Sequence, residues 1–222
     1  MACLFALIAA EKFHAGTTFY DGNGIPVRVS RGAIFPTMNI RKPTKEELNA
    51  AVNRVVPDVI ARDLRVLFCG INPGLYTAAV GHHFARPGNR FWPALHASGF
   101  TERLLSAFDE RELLERGCGI TNVVARATAR ADELSSEELK EGGRILEAKV
   151  RRYHPRVLAV LGVGAYRTAF NRPKAQLGLQ SEAIGATAIR VLPNPSGLNA
   201  HYQPKDLARL FTELRLALDA DG

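Results

Sequence analysis

Three loops of this chain carry the residue types that chemistry uses. The first, Gly70-Ile71-Asn72-Pro73-Gly74-Leu75, sets an asparagine among glycines, which let a backbone approach a ligand and offer its N–H groups. The Asn72 amide both accepts and donates, so it can hold a water or the edge of a base, but it is no general base. Asn-Pro-Gly is also good turn chemistry, and a plain turn is the competing explanation. The second loop, His82-His83-Phe84-Ala85-Arg86-Pro87-Gly88-Asn89-Arg90-Phe91-Trp92, interleaves rings with cations and amides. That mixture suits a flat heterocycle stacked on a ring near phosphates. Phe84 is the stacking candidate, while Phe91 and Trp92 are expected in the core. Adjacent His82 and His83 lack the i, i+4 spacing of a helical metal pair, so no metal site is expected. The third loop, Pro193-Asn194-Pro195-Ser196-Gly197-Leu198-Asn199, raises one leucine among polar residues. Such a side chain can wedge into a base stack, or simply close its own loop. Asp132 is the candidate carboxylate, with a solvated turn residue as its plain alternative.

These loops need a frame, and the apolar pattern supplies one. Residues 65–70 hold a short continuous apolar run, as in a strand buried on both faces; 119–124 and 156–162 read as two further buried strands, and 187–192 as a fourth strand. Helices are expected from the capping box Thr44-Lys45-Glu46-Glu47 toward Arg62, over 91–98, from the box Ser135-Ser136-Glu137-Glu138 to about Tyr153, over 165–170, and from Pro204 to about Leu218. Strands alternating with helices predict an α/β fold, three-layer α/β/α, with a mostly parallel central sheet of about four strands. The loops after Gly70, after Val124 and after Leu192 then lie at the carboxyl edge where such sheets bind ligands. Residues 1–41 form an N-terminal extension with a tight-turn signature at Asp21-Gly22-Asn23-Gly24, and residues 42–222 a single domain.

Composition narrows the function classes. The chain has 222 residues, 46% hydrophobic and 23% charged, the profile of an ordinary globular protein. Its net charge of +7 favours a polyanionic partner. Cys3, Cys69 and Cys118 are odd in number and far apart, which predicts reduced thiols in a cytoplasmic protein and no metal or disulfide framework. The apolar run 3–10 lacks a basic leader and is followed by Glu11 and Lys12, so secretion is not expected. Phosphate-binding, dinucleotide and esterase fingerprints are absent, and no cofactor is expected.

The same loops, in order, carry a family resemblance. Gly70-Ile71-Asn72-Pro73-Gly74-Leu75, Gly81-His82-His83-Phe84 and Pro87-Gly88-Asn89-Arg90-Phe91-Trp92 closely resemble the mismatch-specific uracil-DNA and thymine-DNA glycosylases. Thr121-Asn122-Val123-Val124, Glu141-Gly142-Gly143-Arg144-Ile145-Leu146 and Asn194-Pro195-Ser196-Gly197-Leu198 continue it, over about residues 64–218. The resemblance implies a monofunctional enzyme that removes uracil or thymine opposite guanine from double-stranded DNA, acting as a monomer. Asn72 matches the asparagine that positions the attacking water, and Phe84 the ring that stacks on the extruded base. Backbone N–H groups near Ile71 and Phe84 would read the pyrimidine oxygens, with His83 and Asn194 in the same base-binding set. Asn122 and Thr128 match pocket residues of the thymine-type enzymes, where the bacterial type carries lysine at the Asn122 position. Gly197, Leu198 and Asn199 match the loop that fills the vacated space and probes the widowed guanine. Ala200 and His201 stand where the bacterial loop carries an arginine, which implies weaker dependence on the opposite guanine. The alternatives are a DNA-binding protein that kept the fold without catalysis, and a small-nucleotide hydrolase, for which the loops are poor in metal-binding carboxylates.

Overall fold

The computed structural model describes residues 19–20, 26–27 and 41–220. Strands β1 (Phe19–Tyr20) and β2 (Pro26–Val27) pair antiparallel, Phe19 opposite Val27, as the two extended pieces expected around the Asp-Gly and Asn-Gly stretch. The apolar run 3–10 and Cys3 lie outside the described residues.

Thr44 caps helix α1 (Lys45–Asn49): its hydroxyl accepts from Glu47 N at 3.2 Å, and the Glu47 carboxylate accepts from Thr44 N at 2.8 Å. The expected continuation toward Arg62 does not form. Asn53 turns the chain through the left-handed region, and Val55 and Val59 then bridge Arg126 and Ile120 in extended backbone. Pro57 lacks the N–H a helix needs at that point and keeps its neighbour extended.

The frame then runs β3 (Val66–Gly70), α2 (Leu75–Val80), α3 (Phe91–Ala97), a 3₁₀ helix over Ala107–Arg116, β4 (Cys118–Asn122), a 3₁₀ turn over Ala131–Glu133, α4 (Ser136–Tyr153), β5 (Val157–Leu161), α5 (Val163–Ala169), β6 (Gly178–Ile184), β7 (Thr187–Leu192) and α6 (Pro204–Ala220). The sheet order is β4-β3-β5-β7-β6, parallel throughout except for β6 against β7. The sheet therefore has five strands, not four. Strand β6 reads Gly-Leu-Gln-Ser-Glu-Ala-Ile and is only partly buried along most of its length. As an edge strand paired on one side, it lacks the continuous apolar run that marks its neighbours.

Alternation along β3 sorts the core into two layers. Val66 and Phe68 pack with Phe91, Leu95, Phe211 and Leu214 of α3 and α6. Leu67 and Cys69 pack with Leu146, Val150 and Tyr166 of α4 and α5. Burial pushes the Cys69 thiol up strongly and the Cys118 thiol up to about 12, so neither supplies a thiolate near neutral pH. Among the described residues no helix is long and apolar enough to cross a membrane.

The Gly142-Gly143 pair lets α4 lie unusually close to its neighbours. A Cβ at Gly142 would meet the carbonyl oxygen of Val123, and one at Gly143 that of Ala169, both far inside van der Waals contact. In an open helix, glycine to alanine stabilises by roughly 0.5–1 kcal/mol. Here the obstacle is backbone and no rotamer relieves it, so overpacking costs of roughly 1–3 kcal/mol apply instead. We expect Gly142→Ala and Gly143→Ala each to lower stability in urea unfolding; a gain for either would show that α4 can withdraw without penalty.

Candidate active site

The site lies where β3, β4, β5 and β7 end. After β3 the chain crosses to β4 on one side and later returns to β5 on the other, which opens a crevice at the carboxyl edge. Its floor is the segment directly after β3. Val123 N and Val124 N donate to Gly70 O and Ile71 O, both at 2.9 Å, tying this segment to the one after β4. Ile71 packs at Gly162 after β5: a Cβ there would lie 3.2 Å from its Cδ1 and 3.9 Å from Asn194 Cβ.

Asn72 is held from one side only. Its Nδ2 donates to Thr128 Oγ1 at 2.7 Å and to Arg126 O at 3.1 Å. The Thr128 hydroxyl donates onward to Arg130 O at 2.7 Å, so it can only accept from Asn72. Both amide hydrogens are thus spent on fixed acceptors, and Oδ1 is left to accept from something else. Thr128, 2% exposed, holds the Asn72 amide through this bond.

Phe84, Gly70 and Asn122 converge beside this amide. Phe84 has a left-handed backbone (φ 54°), stacks on the buried Phe91 at 4.1 Å between ring centroids, and is itself half-buried. Gly70 faces Asn122 across β3 and β4. A Cβ on Gly70 would lie 2.5 Å from Asn122 Oδ1 and 3.3 Å from the tip of the Phe84 ring. The absent side chain lets the Asn122 amide and the edge of the Phe84 ring close directly over the end of β3.

His83 supports Asn122 from behind. It is 1% exposed. Its Nε2–H donates to Pro57 O at 2.9 Å, which leaves Nδ1 to accept from Asn122 Nδ2 at 3.5 Å, and its backbone N–H donates to Glu110 Oε2 at 2.7 Å. Every polar group of His83 is therefore spoken for, since its carbonyl accepts from Trp92 Nε1 at 3.3 Å. Glu110, buried on the 3₁₀ helix, also takes His82 Nδ1 at 2.9 Å and so anchors the backbone that presents Phe84. Nothing local in the sequence marks Glu110, whose partners lie 27 and 28 residues away.

Burial holds the His83 imidazole below its ordinary pKa of 6.5 and keeps it neutral. An unfolded chain takes up that proton as pH falls below about 6.5, while the folded protein does not until its lower value is reached. Stability from this group is therefore complete above 6.5 and drains away as pH drops toward the folded value. The melting temperature should fall through that window, and His83→Gln should flatten the slope. An unchanged slope would assign the acid sensitivity to other groups.

The third loop is self-contained. Asn194 Oδ1 accepts from Ser196 N at 3.0 Å, Asn199 Nδ2 donates to Asn194 O at 2.9 Å, and Asn199 Oδ1 accepts from His201 N at 3.2 Å. Both asparagine side chains shape the turn. Gly197 sits against Gly88 O, and Leu198 projects with 72% exposure. Asp132 does not join the constellation. Its carboxylate is taken by Arg130 at 3.0 and 2.6 Å, its side chain is 64% exposed, and the guanidinium holds it below the usual carboxylate range. The partner is an exposed charge two residues away.

Comparison with known proteins bears on the fold and the family. The chain is similar in structure to the solution NMR structure of a Methanosarcina acetivorans protein described as a candidate uracil DNA glycosylase, with a TM-score of 0.51 and 18% identity over 74% of this chain and 99% of that one. At that identity the likeness speaks for the fold. The family model for the uracil DNA glycosylase superfamily matches residues 57–215, from Pro57 behind His83 through all three loops into α6. The chain belongs to the uracil DNA glycosylase superfamily.

Proposed function

We propose that this protein is a monofunctional, mismatch-directed DNA glycosylase that hydrolyses the N-glycosidic bond of uracil opposite guanine and leaves an abasic site. The observation that carries the reading is the Asn72 amide, pinned through Nδ2 so that Oδ1 is free to accept from a water. The base leaves as an N1 anion while the sugar gains oxocarbenium character. The cation is reactive enough that an oriented water attacks C1′ without a strong base, and preorganised donors around the leaving base lower the barrier. The target must first leave the helix at a cost of a few kcal/mol, least for a mispaired base, which by itself favours G·U. Leu198 occupies the vacated space, Phe84 stacks on the extruded ring, and the +7 charge contributes phosphate contacts whose strength falls with salt.

No guanidinium stands at positions 200 or 201, so less of the discrimination rests on the opposite base. We therefore expect measurable cutting of A·U pairs and single-stranded uracil beside G·U. Labelled duplexes holding G·U, A·U and G·T, plus single-stranded uracil, incubated with protein and then treated with alkali, test both statements. Breaks that appear only after alkali support the glycosylase. Breaks without alkali indicate a nuclease, and tight binding with no breaks a non-catalytic DNA-binding protein. Cutting confined to G·U would defeat the broader range alone.

A further inference from the structure

The loop that bears Leu198 is braced by one side chain, and that brace reaches to the base-stacking wall. Arg90 N donates to Pro195 O at 2.9 Å. Its guanidinium donates to Tyr202 O at 2.5 Å, to Asn199 O at 2.8 Å and to Ser196 O. Three carbonyls spread over seven residues thus converge on one planar cation. A fork of fixed donors does this well, and a point charge such as lysine does not. Among the described residues no carboxylate pairs with Arg90, so its charge is met only by backbone dipoles. Around it the turn closes with Asn199 N on Ser196 O at 3.0 Å and Leu198 N on Ser196 Oγ at 3.3 Å, while Gly197 rests on Gly88 O. The residue after Arg90 is Phe91, the ring beneath Phe84.

Arg90 therefore ties two things together, the apolar tip that would enter the duplex and the stack that would receive the base. We infer that Arg90 is a positioning residue for base extrusion: it sets the Leu198 tip at a fixed offset from the Phe84–Phe91 stack, so that wedge insertion and base seating happen as one event. This rests on the glycosylase reading above. Arg90 touches neither base nor sugar and adds nothing to the hydrolytic step.

The test compares wild type, Arg90→Lys and Arg90→Ala in single-turnover cleavage of a G·U duplex and of single-stranded uracil, with amide exchange followed across residues 196–202. A misplacement of about 1 Å can cost on the order of 100-fold in rate. Accordingly, Arg90→Ala should lower the duplex rate by roughly 10- to 100-fold, lower the single-strand rate less, and speed exchange at Leu198 and Asn199, with Arg90→Lys intermediate. An unchanged duplex to single-strand ratio in a folded variant overturns the inference, whether both rates persist or both fall together. If Arg90→Ala does not fold, Arg90→Lys gives the same comparison. If wild type cleaves nothing, the glycosylase reading fails by itself. Exchange then decides the brace separately: faster exchange in the variants upholds it, and unchanged exchange overturns it.

Discussion

Asn72→Ala should lower single-turnover excision from a G·U duplex by on the order of 100- to 1,000-fold, the usual cost of removing one preorganised group that acts on the reacting centre. Duplex affinity should barely change, because it comes from phosphate contacts to which Asn72 adds none. The fold should survive. Truncation leaves Thr128 Oγ1 and Arg126 O each short of one donor, at about 1 kcal/mol apiece. Thr128→Val is the informative companion. It keeps the buried volume, removes the acceptor that holds Nδ2, and lets the amide rotate. It should fall between wild type and Asn72→Ala, with on the order of tenfold lost. A rate for Asn72→Ala within a few-fold of wild type would mean that the water is oriented elsewhere.

How far this site is legible in the sequence depends on the range of the interactions that build it. Strands β3 and β5 stand out because burial on both faces writes a continuous apolar run. The boxes at Thr44 and Ser135 stand out because a cap spans only three residues. Asn72 and Phe84 stand out as residue types on a loop after a strand. Their support does not. The Thr128 and Arg126 partners of Asn72 lie 56 and 54 residues away, and the carbonyls gathered by Arg90 lie more than 100 residues downstream. No local pattern announces such pairings. Long-range geometry also fixes side chains within correctly noticed motifs: the His83 ring is held by Pro57 and Asn122, and the Thr128 hydroxyl by Asn72 and Arg130. Asp132 shows the converse, since its nearest charge, Arg130, was in plain view at short range and settles its partner.

Gly70→Ala should be the most damaging single methyl that can be added to the site. Gly70 ends β3 opposite Asn122, and the new Cβ would fall 2.5 Å from Asn122 Oδ1 and 3.3 Å from the Phe84 ring. Phe84 cannot retreat, because Phe91 lies 4.1 Å behind it and is fully buried. The amide must therefore swing, and the bond from its Nδ2 to His83 goes with it. Overpacking of this kind costs roughly 1–3 kcal/mol of stability. The activity loss should exceed what that explains, with kcat/KM for uracil down by on the order of 10- to 100-fold at a temperature where the variant is fully folded. Gly164→Ala in α5 is the control. A Cβ there meets nothing within 4 Å, so it should be neutral or stabilising by up to about 1 kcal/mol. The pair separates two causes of failure. If Gly70→Ala loses stability yet keeps its kcat/KM, the contact of Gly70 with Asn122 and Phe84 is packing only, and the extruded base is received elsewhere along the carboxyl edge. If it keeps its stability and loses catalysis, the placement of Asn122 beside Phe84 is what receives the base.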